Sequence, residues 1–254
     1  LLFFYCLLSS SLFAQANRRI VEDDLAKSFK KINYWDQQRY KDTTDVWTDS
    51  LQSANDAFGK KLKYFTSKFP ETINSLHNLE PLGVKVITSN DGLFRIYSWD
   101  TETGGTMHFF DNVFQYKSGN KTNSILNAPK SEGDIGVYYR NVYTFNYNGK
   151  NYYLCVFTFI ESSRYYGEGI RVYSIEKDRL NENVKLIKTN TGLHERLSYE
   201  YDFGSIIDWK VRPEIYFDAA SKTINLPLIK SNGEVTHRYI TYKFTGQYFE
   251  RVKN

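Results

Sequence analysis

The chain is predicted to be α+β and mainly β, with an N-terminal helical segment packed on an antiparallel β-repeat body. Three observations lead there. Apolar residues recur at helical spacing only before residue 80. From Val84 on, short aromatic-rich runs alternate with Gly-containing turns. Two stretches one hundred residues apart share much of their sequence.

Before the helices comes "LLFFYCLLSSSLFAQA". Leu1 to Leu8 is apolar, Ser9 to Ser11 is polar, and Ala14-Gln15-Ala16 is a small-x-small cleavage signal. Residues 1–16 therefore read as the end of a secretory signal peptide whose charged front is missing, so the chain is read as starting inside its open reading frame. The apolar run is too short for a bilayer span, and no span is expected after cleavage. Lipid attachment at Cys6 is rejected, because Tyr5 stands where a lipoprotein signal needs a small residue. The expected location is outside the inner membrane, in the periplasm or at the outer surface.

Residues 17–80 form the helical segment. Leu25, Phe29, Ile32 and Trp35 recur every three or four residues. Trp47, Leu51, Ala54, Phe58, Leu62, Phe65 and Phe69 make a second, cleaner stripe, the pattern of one buried helix face. Thr44 and Asp45 can cap this helix, Lys60, Lys61, Lys63 and Lys68 suit its C-terminal dipole, and Pro70 stops it. The stripe is expected to pack on the β body, with partner binding as the alternative.

The β body divides into 81–183 and 184–254. With 21 Tyr and 18 Phe against one Met, the composition favours strands. Hairpin turns are expected at Asn90-Asp91-Gly92, Ser118-Gly119-Asn120, Asn148-Gly149, Asn232-Gly233 and Thr245-Gly246, since Gly and Asn accept positive φ. "GEG" at Gly167 to Gly169 reads as another turn. "VKVITSNDGLFRIYS" (Val84 to Ser98) aligns without gaps on "VKLIKTNTGLHERLS" (Val184 to Ser198), with seven of fifteen positions identical. "YTFNYNGKNYYLCV" (Tyr143 to Val156) resembles "ITYKFTGQYFERV" (Ile240 to Val252) in the same order. Two related units follow from this, in a propeller-like stack or, alternatively, a two-sheet sandwich.

Chemistry-bearing motifs are sparse. The charge of +4 comes from 33 basic and 29 acidic residues without a like-charge block, which gives no reason to expect nucleic acid. His77, His108, His194 and His237 form no zinc spacing, and no calcium loop, Walker or dinucleotide motif is present, so no metal or cofactor is expected. Cys155, the one cysteine after signal removal, lies in an apolar run and is expected to be a buried thiol. Acids beside aromatics are the remaining signal: Trp99, Asp100 and Glu102, then Glu200 and Asp202, then Asp208 before Trp209. Trp99 and His108 do not recur in the second unit, so they join Asp100, Glu102, Glu200, Asp202 and Asp208 as candidate ligand-binding residues. Trp99 at a rim would stack on a ligand, whereas Trp99 in the core would only pack.

"DGLFRIYSWDTETGGTMHFFDNVFQYK" and the preceding "DSLQSANDAFGKKLKYFTSKFPETIN" resemble a group of uncharacterised secreted proteins of Gram-negative bacteria. That resemblance implies no activity and no site residues. The closing "YITYKFTGQYFERV" is similar to the last hairpin of propeller-like secreted proteins. The expectation is an exported, non-catalytic β-repeat protein that binds a glycan or an envelope protein. A carbohydrate-active hydrolase using paired carboxylates is the alternative.

Overall fold

The computed structural model describes residues 2–41, 44, 46–129, 131, 133–205 and 213–252, with side chains from residue 19 on. Two helices open the chain, α1 (Leu2–Gln38) and α2 (Val46–Lys68). Leu25, Phe29 and Ile32 of α1 are buried against Leu51, Ala54, Phe58 and Leu62 of α2, so both stripes face inward. Each of the Leu, Ile and Phe side chains contributes about 1.5–3 kcal/mol on burial. Pro70 stops α2 as expected and begins a 3-10 turn, Pro70–Asn74, followed by a second, His77–Leu82. Asp45, an expected cap, lies outside the described residues.

Among the described residues, fifteen strands follow in three sheets. The first sheet is a meander of β1 (Lys85–Thr88), β2 (Phe94–Asp100), β3 (Phe110–Ser118) and β4 (Lys121–Asn127). The second contains β5 (Tyr138–Tyr147), β6 (Lys150–Ile160), β7 (Tyr165–Glu176), β8 (Arg179–Asn181) and β11 (Arg196–Asp202), in the order β11-β7-β6-β5 with β8 on β7. The third contains β9 (Ile187–Thr189), β10 (Gly192–His194), β12 (Tyr216–Asp218), β13 (Thr223–Ile229), β14 (Val235–Phe244) and β15 (Phe249–Arg251), in the order β10-β9-β15-β14-β13-β12. Pairing is antiparallel throughout, apart from β15 on β9.

Alternating side chains hold the layers in series. Val86, Tyr97, Trp99 and Val113 on one face of the first sheet pack under the helices. Phe94, Ile96, Phe114 and Tyr116 on its other face meet Tyr139, Tyr153, Phe157 and Tyr173 of the second sheet. Leu154, Val156, Ile170 and Val172 on the far face of that sheet meet Phe217, Ile224, Phe244 and Phe249 of the third. The result is one helical layer on three stacked sheets, one sheet more than a two-sheet sandwich. Among the described residues no sheet closes into a barrel. Cys155 is fully buried among the aromatics between the first two sheets, and burial raises its thiol well above the ordinary value. No helix among the described residues is long and apolar enough to cross a membrane.

All five expected turns join consecutive antiparallel strands. Asn148 and Gly149 make a two-residue turn, both at positive φ (50° and 74°), between Tyr147 and Lys150. That is the geometry for which Asn-Gly is selected. The two aligned segments both contain hairpins, but not in one register. Thr88 pairs with Arg95, whereas its counterpart Lys188 pairs with Leu193. The first tip is wider because the Asp91 carboxylate accepts from the Ser89 hydroxyl and the Leu93 amide. In the second, the chain leaves the hairpin at Glu195 and pairs as β11 with β7, in a different sheet.

The reading of "GEG" as a turn is corrected: Gly167, Glu168 and Gly169 lie inside β7. Phe159 and Phe157 stand opposite the two glycines and lay their rings over them. A Cβ on Gly167 would come 1.9 Å from the Phe159 ring, and one on Gly169 would come 2.3 Å from the Phe157 ring. The glycines make room for aromatics on one face and leave Glu168 to project from the other.

Candidate functional site

Two groups of polar side chains merit comparison. The first belongs to the stretch between β2 and β3. Trp99, fully buried, donates from its indole N–H to Asn55 Oδ1 at 3.1 Å and meets the Phe58 ring edge-on at 5.0 Å. The rim position expected for Trp99 is therefore corrected: alternation along β2 turns it under α2, where its N–H finds a buried partner. Asp100 stands at the end of β2. One carboxylate oxygen meets His108 Nδ1 at 2.5 Å and the other accepts the Glu102 amide at 2.9 Å. Thus Asp100 folds the turn, and Glu102 sits at φ 57° just beyond it. Burial and the nearby charges of Asp100 and Asp36 raise the Glu102 carboxyl. Arg39, just past the end of α1, grips the Glu102 carbonyl, and Asn55 of α2 grips that of Thr101 at 2.8 Å. The stretch is a turn tied to α2 and to the chain just after α1.

The other sequence candidates divide. Asp202 is buried and holds Arg164 Nε at 2.8 Å and Nη2 at 2.6 Å, while its second oxygen accepts the Gly204 amide. The Arg164 hydrogen bonds hold its carboxyl below the ordinary value. Glu200 is exposed on β11. Asp208, with Trp209, lies outside the described residues. His108 and Asp202 reach the same end of the molecule: the His108 amide bonds Ile160 at the end of β6, and the Phe203 amide bonds Arg164 in the next turn. Asp100, the partner of His108, and Asp202 are nevertheless committed to separate local bonds. Among the described residues no group of three or more His, Cys, Asp or Glu could hold a metal ion.

The second group was not read from sequence. A pocket of about 300 Å³ opens beside β5, with Lys85, Tyr138, Arg140, Asn141, Tyr143 and Glu214 around it and Val156 and Ile215 also in its wall. A β-bulge creates it. Tyr139 pairs with Phe157 and Asn141 with Val156, so Arg140 is an extra residue. The bulge lets Tyr139 and Val142 both face the first sheet while Arg140 turns the other way. There Arg140 meets the fully buried Glu168 at 3.3 Å and also pairs with Glu214. Glu168 accepts in addition from the Tyr199 hydroxyl and from the Ile215 amide, the latter at 3.3 Å. Burial would lower the Arg140 guanidinium, but bonding to Glu214 and the charges of Glu214 and Glu168 outweigh it and hold it raised. Burial raises the Tyr138 and Tyr143 hydroxyls.

No protein-family model matches the chain, and no curated protein sequence matches it. The site must therefore be read from its own chemistry. It offers aromatic faces, cationic donors and a carboxylate acceptor around a small concavity, the usual composition of a small polar-ligand site. A local sequence signal existed in Glu168 between two glycines, but only the bulge at Arg140 shows where that carboxylate points.

One buried acid lies outside both groups. Asp111, opposite Trp99, has a carboxyl pushed up to about 6 by burial and by the charge of Asp56 on α2. A carboxyl raised on folding binds more protons in the folded state between its unfolded value near 3.8 and about 6, so stability falls as pH rises through that window. Asp111→Asn is expected to be more stable than the parent at pH 7 by up to about 2–3 kcal/mol, converting the shift at 1.36 kcal/mol per unit. Urea unfolding at several pH values checks this. The gap should close as pH approaches 4, and a gap independent of pH would be the contrary result.

Proposed function

We propose that the protein is an exported, non-catalytic binding protein of the cell envelope, periplasmic or at the outer surface, that holds a polymer or a protein partner. The pocket beside Arg140 carries this reading, because it joins tyrosine faces to paired charged groups in a preformed concavity. The signal-like first sixteen residues support export. The four-stranded meander of the first sheet, with two further sheets stacked on it in series, supports the propeller-like relation, and the two aligned hairpins support the duplication, although their registers differ. The hydrolase reading has less behind it. Asp100 and Asp202 each secure a turn and a neighbouring cation or imidazole, which is a structural use of those acids.

A glycan array combined with a pull-down from Gram-negative envelope extract tests the proposal. Retention of a glycan or of one envelope protein is expected. Failure of both arms would refute the binding reading, and new reducing ends from a retained glycan would favour the hydrolase.

A further inference from the structure

Resting on that binding reading, we infer that the pocket beside Arg140 takes one neutral sugar ring of a glycan chain. The size argument comes first. About 300 Å³ is at the small end of ligand sites, enough for one ring with the rest of the chain outside. Charge balance comes next. Lys85 and Arg140 supply two positive charges, and Glu214 with Glu168 behind Arg140 supplies two negative ones. An anionic ligand would meet Glu214, and a cationic one would meet Lys85 and Arg140. A sugar hydroxyl both donates and accepts, so it can use a guanidinium and a carboxylate side by side. Finally, Tyr138 and Tyr143 are half-buried and line the pocket, which puts two aromatic side chains beside the apolar C–H face of a bound sugar.

The ion pair makes the inference testable without dismantling the core. Glu214 is 45% exposed, so Glu214→Gln removes one charge and leaves the buried Glu168 in place. The experiment is saturation-transfer NMR on the full chain, with the methyl glycosides of glucose, galactose, N-acetylglucosamine and glucuronic acid as probes. Thermal melting of each variant confirms folding. The wild type is expected to receive transfer from at least one neutral glycoside and little from the glucuronide. Glu214→Gln should weaken the neutral glycoside about tenfold, equivalent to one lost interaction, and favour the glucuronide. Tyr138→Leu should also weaken the neutral glycoside. Absence of transfer from every neutral probe would overturn the inference, as would transfer that both variants leave unchanged. If the array retains a glycan while these variants change nothing, the protein binds glycan on another surface. The sugar-pocket inference then falls and the binding reading stands.

Discussion

Trp99→Ala is expected to lower the unfolding free energy by about 3–5 kcal/mol, the usual cost of emptying a large aromatic site in a core. In a chain of this size that amounts to a fall of about 10 °C in melting temperature. The indole is fully buried between the first sheet and α2, with Phe58 edge-on against it. Its removal opens a cavity and strips Asn55 Oδ1 of the indole donor. Asn55 also holds the Thr101 carbonyl, so the loss should spread into the turn before β3. Trp99→Phe should cost less, because it refills part of the cavity, although the hydrogen bond to Asn55 is still lost. Calorimetry on both variants checks this. A Trp99→Ala protein that melts with the parent would contradict the core placement.

Glu168→Ala should be comparably damaging, at about 3–5 kcal/mol, because it breaks a buried charge pair from one side. The substitution leaves the Tyr199 hydroxyl and the Ile215 amide without the carboxylate that accepts from them, and takes from Arg140 one of the carboxylates that pair with it. Glu168→Gln keeps the shape and an acceptor, so it should cost distinctly less. Chemical denaturation of the pair gives the comparison, and equal stability of Glu168→Ala and wild type would show that the cluster is not holding β5, β7, β11 and the residues just before β12 together.

These two residues show what the sequence could and could not display. The helix stripes were legible because 3.6-residue periodicity is local: Leu51, Ala54, Phe58 and Leu62 are all buried as a single face. The hairpin tips were legible for the same reason, since positive φ is a demand made within a few residues, as at Asn148-Gly149. Trp99 was ambiguous because its neighbours Asp100 and Glu102 are polar, and the strand phase that buries it is fixed by pairing with Asp111 and packing under α2. The Arg140 pocket was not legible. It depends on one unpaired residue in β5 and on partners 28 and 74 residues away. The strand containing Glu168 was misread because glycines usually mark turns, and here each is matched by a cross-strand Phe ring. The three-layer stacking of sheets was equally hidden, because Arg196–Asp202 returns to the second sheet after its preceding hairpin has joined the third.

The most direct test of the account is an equilibrium binding measurement followed by product analysis. Purified protein is incubated with a glycan that the array retains, and both bound fraction and chain length are followed over time. The account predicts saturable binding, loss of affinity in Glu214→Gln, and no change in chain length. Shortening of the glycan, or failure of every envelope glycan and protein to bind, would contradict it.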